Sequence, residues 1–434
     1  MNKILQQELT LPCGAVLSNR IAKAALTEGL ADVNGVPTSE LKQLYGLWSD
    51  GGAGLLLSGN IQIDVNHLER PGNVIIESKP QNNLINALKD WSTAATRNNN
   101  HFWAQISHAG RQTQTNINKT PKAPSPIKVA LPGGQFGHPI ALTTEEIKKI
   151  IEGFGIAAIT CKNSGFTGIQ IHAAHGYLLS QFLSPRSNIR TDAYGGDLSN
   201  RARLLIEIVR AVRSKVGSDF PISVKLNSAD FQKGGFNFQD SLQVAQWLEE
   251  ETIDLLEISG GTYEQPRLLG VEGIGEYEDQ NIAQSTVKRE AYFVDFAIEL
   301  RKKISIPMMV TGGFRHRDAM VHAIESGAAD LIGIGRPLCV LTDAPKRLFD
   351  GLNELPRYEK ELKFFPRWIS FLSKIQPFKT MGTFGIQFWF YAQLDLLGKE
   401  GEPNTSISPF AATRRIMALQ NKWLSARDKF LKFE

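Results

Sequence analysis

The chain has 434 residues, enough for two average domains or for one (β/α)8 barrel with insertions. With 42% hydrophobic and 21% charged residues it can bury a large core, which excludes global disorder. A net charge of +4, from 48 basic and 44 acidic residues, is too small a surplus to indicate a nucleic-acid surface, and no nucleic-acid-reading motif is present.

Cys13, Cys161 and Cys339 lie far apart and form no C-x-x-C pattern, so neither a disulfide framework nor a metal or iron–sulfur site is expected. The N-terminus has no continuous apolar stretch, and no apolar run approaches the ~18 residues of a spanning helix. The expectation is a cytoplasmic protein with no membrane partner.

In chain order, polar and apolar residues alternate around Pro12-Cys13-Gly14, which predicts a small hairpin able to close the bottom of a barrel. The first strand-like run, Ile21 to Leu26, ends in Thr27-Glu28-Gly29. The second, Gly54 to Leu57, ends in Ser58-Gly59-Asn60, and the third, Phe102 to Ile106, ends in Ser107-His108-Ala109-Gly110-Arg111. A Pro/Gly-rich stretch from Gln112 to Leu142 reads as a long binding loop or lid. Thr143 to Glu146 then has capping-box spacing, with Ile147, Ile151, Phe154 and Ala158 following at helical intervals.

The fourth run, Ile169 to Ile171, delivers His172, His175 and Tyr177 to its end. A polar loop leads into a helix with a cap candidate at Ser199, one apolar face through Leu204, Ile208, Val212 and Val216, and Gly217 past its end. Further strands are expected at Ile222 to Leu226, Leu255 to Ile258, Met308 to Val310 and Leu331 to Ile334. Helices are expected at Phe238 to Glu251, Arg289 to Lys303 and His316 to Ser326. Eight strands alternating with helices imply a parallel sheet closed into an α/β (β/α)8 TIM barrel, with an open doubly wound sheet as the alternative.

The barrel pattern spans residues 1–350; residues 351–434 read as a helical extension packing on the barrel or on a neighbouring subunit of a homo-oligomer. It carries an aromatic cluster within Gly382 to Leu397, made of Phe384, Phe388, Trp389, Phe390 and Tyr391, and a last helix with six basic residues between Pro409 and Phe433, for which binding to a membrane surface is the minor reading.

Several residues carry chemistry on their own account. His172 and His175, three apart beyond a strand end, can both present ring N–H groups to one oxygen atom; a metal site also wants such a pair, but no third ligand has convincing spacing, so no metal is expected. Thr311-Gly312-Gly313-Phe314 and Gly335-Arg336-Pro337 end consecutive strands where barrels build phosphate sites, with glycines opening backbone N–H groups and Arg336 adding charge. Lys225, on a barrel strand, leaves open a Schiff-base aldolase or lyase.

The run H-A-A-H-G-Y-L from His172, then S-P-R-S-N-I-R-T-D-A-Y-G-G and N-R-A-R, resembles the Old Yellow Enzyme family, in the branch of NADH:flavin oxidoreductases and 2,4-dienoyl-CoA reductase-like proteins. The resemblance extends over roughly residues 1 to 345. It implies an FMN-dependent oxidoreductase that takes hydride from NADH or NADPH and passes it, in ping-pong fashion, to an electron-poor alkene such as an enone.

On that resemblance His172 and His175 hold the substrate carbonyl oxygen and Tyr177 protonates the neighbouring carbon. Ala24, Ala25, Leu26 and Thr27 end the first strand beside the flavin, Thr27 near its C4 oxygen; Gly59 allows close approach, and Gln105 meets the pyrimidine edge. Lys225 stands where much of the family has Arg, keeping the charge without the bidentate fork. Gly312, Gly313, Gly335 and Arg336 take the phosphate. Gly29 replaces a tyrosine that some bacterial relatives place near the substrate. The chain lacks the cysteine cluster and extra nucleotide-binding domains of full-length dienoyl-CoA reductases, so electrons are expected directly from a nicotinamide. A flavin-binding scaffold without activity is the remaining alternative.

Overall fold

The computed structural model describes residues 3–131, 134–260, 294, 296–365 and 378–430. Eight parallel strands close on themselves: β1 Ile21–Lys23, β2 Leu55–Gln62, β3 His101–Ser107, β4 Gly168–Ala173, β5 Ile222–Asn227, β6 Leu255–Ser259, β7 Met308–Thr311 and β8 Leu331–Ile334. Closure comes from β8 pairing with β1, Ile332 opposite Ile21, and from β1 pairing with β2, Ala22 opposite Leu55. The main helices are α1 Ser39–Asp50, α2 Asn82–Ala95, α3 Thr144–Asn163, α4 Leu178–Leu183, α5 Leu198–Val216, α6 Phe238–Glu250, α7 Arg317–Glu325, α8 Ala344–Phe349, α9 Phe378–Glu400 and α10 Pro409–Phe430, with one further helical turn at Tyr358–Glu361. The helix expected from Arg289 to Lys303 lies partly outside the described residues, within which 296–301 are helical.

Strand alternation sorts the barrel into two cores. Ile169, Ile171, Val224, Leu226, Leu256, Ile258, Val310 and Ile332 face the helices, as period-two side chains on a pleated strand must when one face is covered. The intervening Leu55, Leu57, Trp103, Leu255, Met309 and Leu331 fill the interior with Leu9, Leu11 and Leu17 of the hairpin Leu9–Thr10/Val16–Leu17, which plugs the bottom. Higher up the interior turns polar, through Gln105, Gln170, Lys225 and Glu257, all nearly or fully buried.

Local chemistry sets the ends of the elements. Thr143 and Glu146 form the expected capping box of α3. The cap of α5 is Asp197, not Ser199: Asp197 follows the left-handed Gly196 in extended conformation, starting the helix early enough to place Ser199 in its first turn. Gly217 closes α5 at φ +84° as expected. The short α4 was not foreseen; all six of its residues are buried, so it carries no polar face to betray a helical period.

Helices α9 and α10 pack against each other, Trp389 Nε1 donating to Ile407 O at 2.8 Å. They also reach the barrel: α9 packs on α1, Trp423 Nε1 donates to Ala31 O at 3.2 Å, and Arg427 Nη2 donates to Val65 O at 2.8 Å. The extension therefore covers the loops that follow β1 and β2. Among the described residues no helix is long and apolar enough to cross a membrane.

Candidate active site

The end of β4 brings His172, His175 and Tyr177 together. The His172 and His175 rings lie 5.1 Å apart and Tyr177 lies 4.9 Å from His172, each pair near perpendicular. Nδ1 of His172 accepts the Ala174 N–H at 3.2 Å, which leaves the proton on Nε2 as a donor. His175 sits at φ +61°, a left-handed conformation uncommon outside glycine, held by its own N–H on Asn227 Oδ1 (3.1 Å) and by Nε2 against Ser259 Oγ (2.6 Å). Either tautomer of His175 satisfies the Ser259 contact; the one that accepts from the serine hydroxyl leaves the proton on Nδ1. Burial, with the charges of His175 and Lys225 adding to it, pushes His172 well below the ordinary histidine range; burial and Lys225 do the same to His175. Both rings are therefore neutral at pH 7. Tyr177, 5% exposed, donates its hydroxyl to Glu69 Oε2 at 2.5 Å, and the Asn60 amide donates to the same oxygen.

Below this trio a polar chain crosses the barrel. Gln105 Nε2 donates to Gln170 Oε1 (2.5 Å), and Gln170 Nε2 donates to Ser223 Oγ (3.2 Å) and to Glu257 Oε2 (2.7 Å). Lys225 Nζ stands 3.0 Å from Glu257 Oε1. The lysine singled out from sequence thus comes with its own counter-ion, fully buried on the neighbouring strand.

At the mouth, Ala25, Leu26 and Thr27 are half exposed beyond the buried Ala24. The Gly59 N–H donates to Glu28 Oε1 (3.1 Å) and to Tyr45 Oη (3.2 Å). A Cβ on Gly59 would lie 2.1 Å from Glu28 Oε2 and 2.5 Å from Leu26 O, so the close approach that requires glycine here is made by the chain itself.

At the ends of β7 and β8, Gly312 (φ +148°) and Gly313 (φ +80°) face Gly335 and Arg336, all partly exposed. Sequence reasoning did not find Arg315, which is buried and shares the Glu359 carboxylate with Arg336, at 3.0 and 3.6 Å. Burial, with repulsion from Arg336 and Arg357 adding to it and Glu359 opposing, lowers Arg315 to about 10. Among the described residues these two guanidiniums share one carboxylate, and the buried Thr311 hydroxyl makes no hydrogen bond. Such an imbalance suits an anion.

A second histidine pair also emerges. Asp64, His67 and His108 have the ligand types of a metal site, with His67 Nδ1 2.7 Å and His108 Nε2 3.7 Å from Asp64 Oδ2 and the rings stacked at 4.4 Å. The outer ring nitrogens decide its state: His67 Nε2 accepts the Lys122 N–H (2.8 Å) and His108 Nδ1 accepts the Gly110 N–H (3.0 Å). Each inner nitrogen therefore carries its proton toward Asp64 and has no lone pair for a metal. The cluster ties the base of the 112–142 loop to the loop after β2.

Fold and strand ends together define a (β/α)8 barrel enzyme with its chemistry at the carboxyl ends of the strands. The chain belongs to the NADH:flavin oxidoreductase / NADH oxidase family, whose sequence pattern matches residues 13–354. It is 34% identical over 356 residues to the NADH-dependent flavin oxidoreductase iliE of Neonectria sp. (strain DH2), covering 78% of this chain but 46% of that protein. It is 37% identical over 337 residues to the NADH-dependent flavin oxidoreductase nadA of Aspergillus parasiticus, covering 74% of this chain and 72% of that protein. The solved old yellow enzyme homologue of Zymomonas mobilis superposes with a TM-score of 0.67 at 25% identity, covering 84% of this chain and 98% of that one.

Proposed function

We propose that the protein is an FMN-dependent NADH oxidoreductase that reduces the activated C=C bond of an α,β-unsaturated carbonyl or a related electron-poor acceptor. The observation that carries this reading is the convergence of two neutral imidazoles and a phenol at one strand end. Family membership and the names of the fungal relatives support NADH as the first donor to test, with NADPH as the second.

The residues present fit FMN. Arg315 and Arg336 and the Gly312-Gly313 and Gly335 backbones would hold the phosphate, with the Thr311 hydroxyl nearby; Gln105 and Lys225 would meet the pyrimidine side of the ring, with Ala24 to Thr27 beside it. Bound FMN supplies the hydride chemistry, accepting from the nicotinamide and giving to the β-carbon of the acceptor.

His172 and His175 hold the acceptor's carbonyl oxygen. As neutral donors they bind the uncharged carbonyl modestly and the developing enolate strongly, each worth ~3 kcal/mol of barrier. Tyr177 holds the proton destined for the α-carbon. Nicotinamide and acceptor use one mouth in turn, which predicts ping-pong kinetics. An aldolase reading is disfavoured because Lys225 is 4% exposed and held in an ion pair.

The test is gentle purification of the full chain, followed by anaerobic mixing with NADH or NADPH and then with a panel of enones, nitroalkenes and quinones. A yellow protein bleached by a nicotinamide and reoxidised by an enone is expected. A colourless protein that binds no added FMN overturns the proposal, and bound FMN that neither nicotinamide reduces would favour an inactive scaffold.

A further inference from the structure

His172 is placed by β4 itself; His175, two residues past the end of that strand, is placed by something else. At φ +61° its backbone lies in the left-handed region, which a residue with a Cβ enters only under strain and which the neighbouring Gly176, at φ +77°, enters freely. Such a conformation persists only where the surroundings hold it. Two side-chain amides do so, one on each side of the residue. The His175 N–H donates to Asn227 Oδ1 (3.1 Å), and the His175 carbonyl accepts from Gln112 Nε2 (3.1 Å). Asn227 and Gln112 are 1% and 2% exposed, so bulk water does not compete for either bond.

Each amide is itself fixed. Asn227 ends β5, two residues beyond Lys225 and on the same strand face, and its Nδ2 donates to Asp230 Oδ1 at 3.0 Å. Asp230 is buried, with its other oxygen on the Phe236 N–H (3.1 Å) and its own N–H on Phe236 O (2.9 Å). With a carboxylate oxygen on its nitrogen side, the Asn227 amide turns its oxygen toward His175. Gln112 closes the short helical turn Gly110–Gln112 after β3, where the 112–142 loop begins. Held in this way, the His175 ring meets Ser259 Oγ at 2.6 Å and lies 5.1 Å from the ring of His172. Rotating His175 back to negative φ would break its hydrogen bonds to both amides and swing the imidazole away from its partner.

We propose that Asn227 and Gln112 are positioning residues that hold His175 in its left-handed conformation and so decide whether the site offers two oxygen-binding imidazoles or one. This rests on the reading of His172 and His175 as the oxygen-binding pair. Asp230 serves by fixing Asn227. No proton or hydride passes through these side chains; their effect on the acceptor runs through the His175 ring alone.

The experiment is a double-mutant cycle in the full-length holoenzyme: Asn227→Ala, Gln112→Ala and His175→Ala singly, and His175→Ala combined with each of the other two. Each protein is reduced anaerobically with NADH and mixed with 2-cyclohexenone or with ferricyanide. The enone rate is read relative to the ferricyanide rate, which needs no oxygen-binding pair and so corrects for changes in the flavin itself. The expected result is a loss of about tenfold or more in Asn227→Ala, a loss in Gln112→Ala, and no further loss, within about twofold, when either is added to His175→Ala. Equal fold losses with and without the His175 ring overturn the proposal, and an unchanged rate in a single variant overturns it for that residue. Where an alanine variant does not retain flavin, Asn227→Leu or Gln112→Met, which keeps the volume without the hydrogen bond, takes its place in the cycle. Reduced wild type that reacts with ferricyanide but with no enone or nitroalkene sinks the alkene reading instead. The same cycle is then read in the dissociation constant of 4-chlorophenol, an oxygen ligand followed without turnover by its effect on the flavin absorbance. Weaker binding in Asn227→Ala and Gln112→Ala that disappears in the His175→Ala background supports the proposal; equal weakening in both backgrounds, none at all, or no binding to wild type overturns it.

Discussion

The ion pair inside the barrel gives the sharpest energetic prediction. Lys225 and Glu257 are 4% and 0% exposed and 3.0 Å apart, so their attraction is about 5 kcal/mol at an effective dielectric near ~20, set against the cost of desolvating both. Lys225→Met leaves Glu257 with only the Gln170 amide at 2.7 Å to compensate its charge, and should destabilise the chain by about 3–5 kcal/mol. Glu257→Gln strands the lysine and should cost a similar amount. In the double variant no buried charge remains, so most of the loss should be recovered and the coupling energy should reach ~2 kcal/mol or more. Urea unfolding of all four proteins at one saturating FMN concentration measures it, and the flavin midpoint potential gives a second readout. Effects that simply add, within ~0.5 kcal/mol, would show that the two charges do not compensate each other.

Acid should loosen the loop base at Asp64, His67 and His108. Burial, with the charge of His67 adding to it and Asp64 opposing, lowers His108 to about 4. The folded form is thus neutral where the unfolded form, ordinary near ~6.5, binds a proton; stability is full above pH 6.5 and declines toward pH 4 by about 3 kcal/mol in all. Stability measured against pH should show this decline in wild type and correspondingly less of it in His108→Gln. Tyr177→Phe should slow reoxidation by an enone by about 10² or more while leaving NADH reduction unchanged, as stopped-flow absorbance would show. Gly59→Ala should weaken flavin retention and lower the melting temperature, because the added methyl meets the Leu26 carbonyl at 2.5 Å and that backbone cannot swing aside. Tyr391→Leu keeps an apolar contact but removes the ring beneath Arg70, and should cost about 0.5–2 kcal/mol in a denaturation assay.

The barrel was legible because each strand announces itself twice, by β-type residues along its length and by a polar or glycine-rich end. Leu331 to Ile334 has the expected bounds, whereas β2 runs on to Gln62, since Ser58, Gly59 and Asn60 look like a stop but continue the strand through a bulge beside β3. Interior polar residues carried a signal that was only half used. Gln170 shares a strand face with His172, Lys225 with Asn227, and Glu257 with Ser259, so a charged or amide side chain two residues from a strand-end group marks the lumen. Glu69, Arg315 and Glu359 gave no such signal. Glu69 and Arg315 lie on connecting segments without period and Glu359 on a four-residue helix too short to show one, and only the folded chain brings them to Tyr177 or Arg336.

Gly29 shows how the extension enters the site's own logic. Its missing side chain was visible from sequence as the loss of a ring near the substrate. A Cβ there would stand 2.9 Å from Arg70 Nε, so the space belongs to the Arg70 guanidinium, whose opposite face meets Tyr391 from α9. An aromatic group does reach this side of the mouth, but from the far end of the chain and with a cation in between. Because Arg70 adjoins Glu69, and Glu69 holds Tyr177, the packing of α9 bears on the position of the phenol through two contacts. The same helices and the loops after β1 and β2 line an open pocket of about 170 Å3, bordered by Gly29, Arg70, Tyr391 and Trp423. Acceptor preference in this protein should therefore respond to substitutions in α9 and α10 that never touch the acceptor, which a barrel reading its substrate only through strand-end residues would not do.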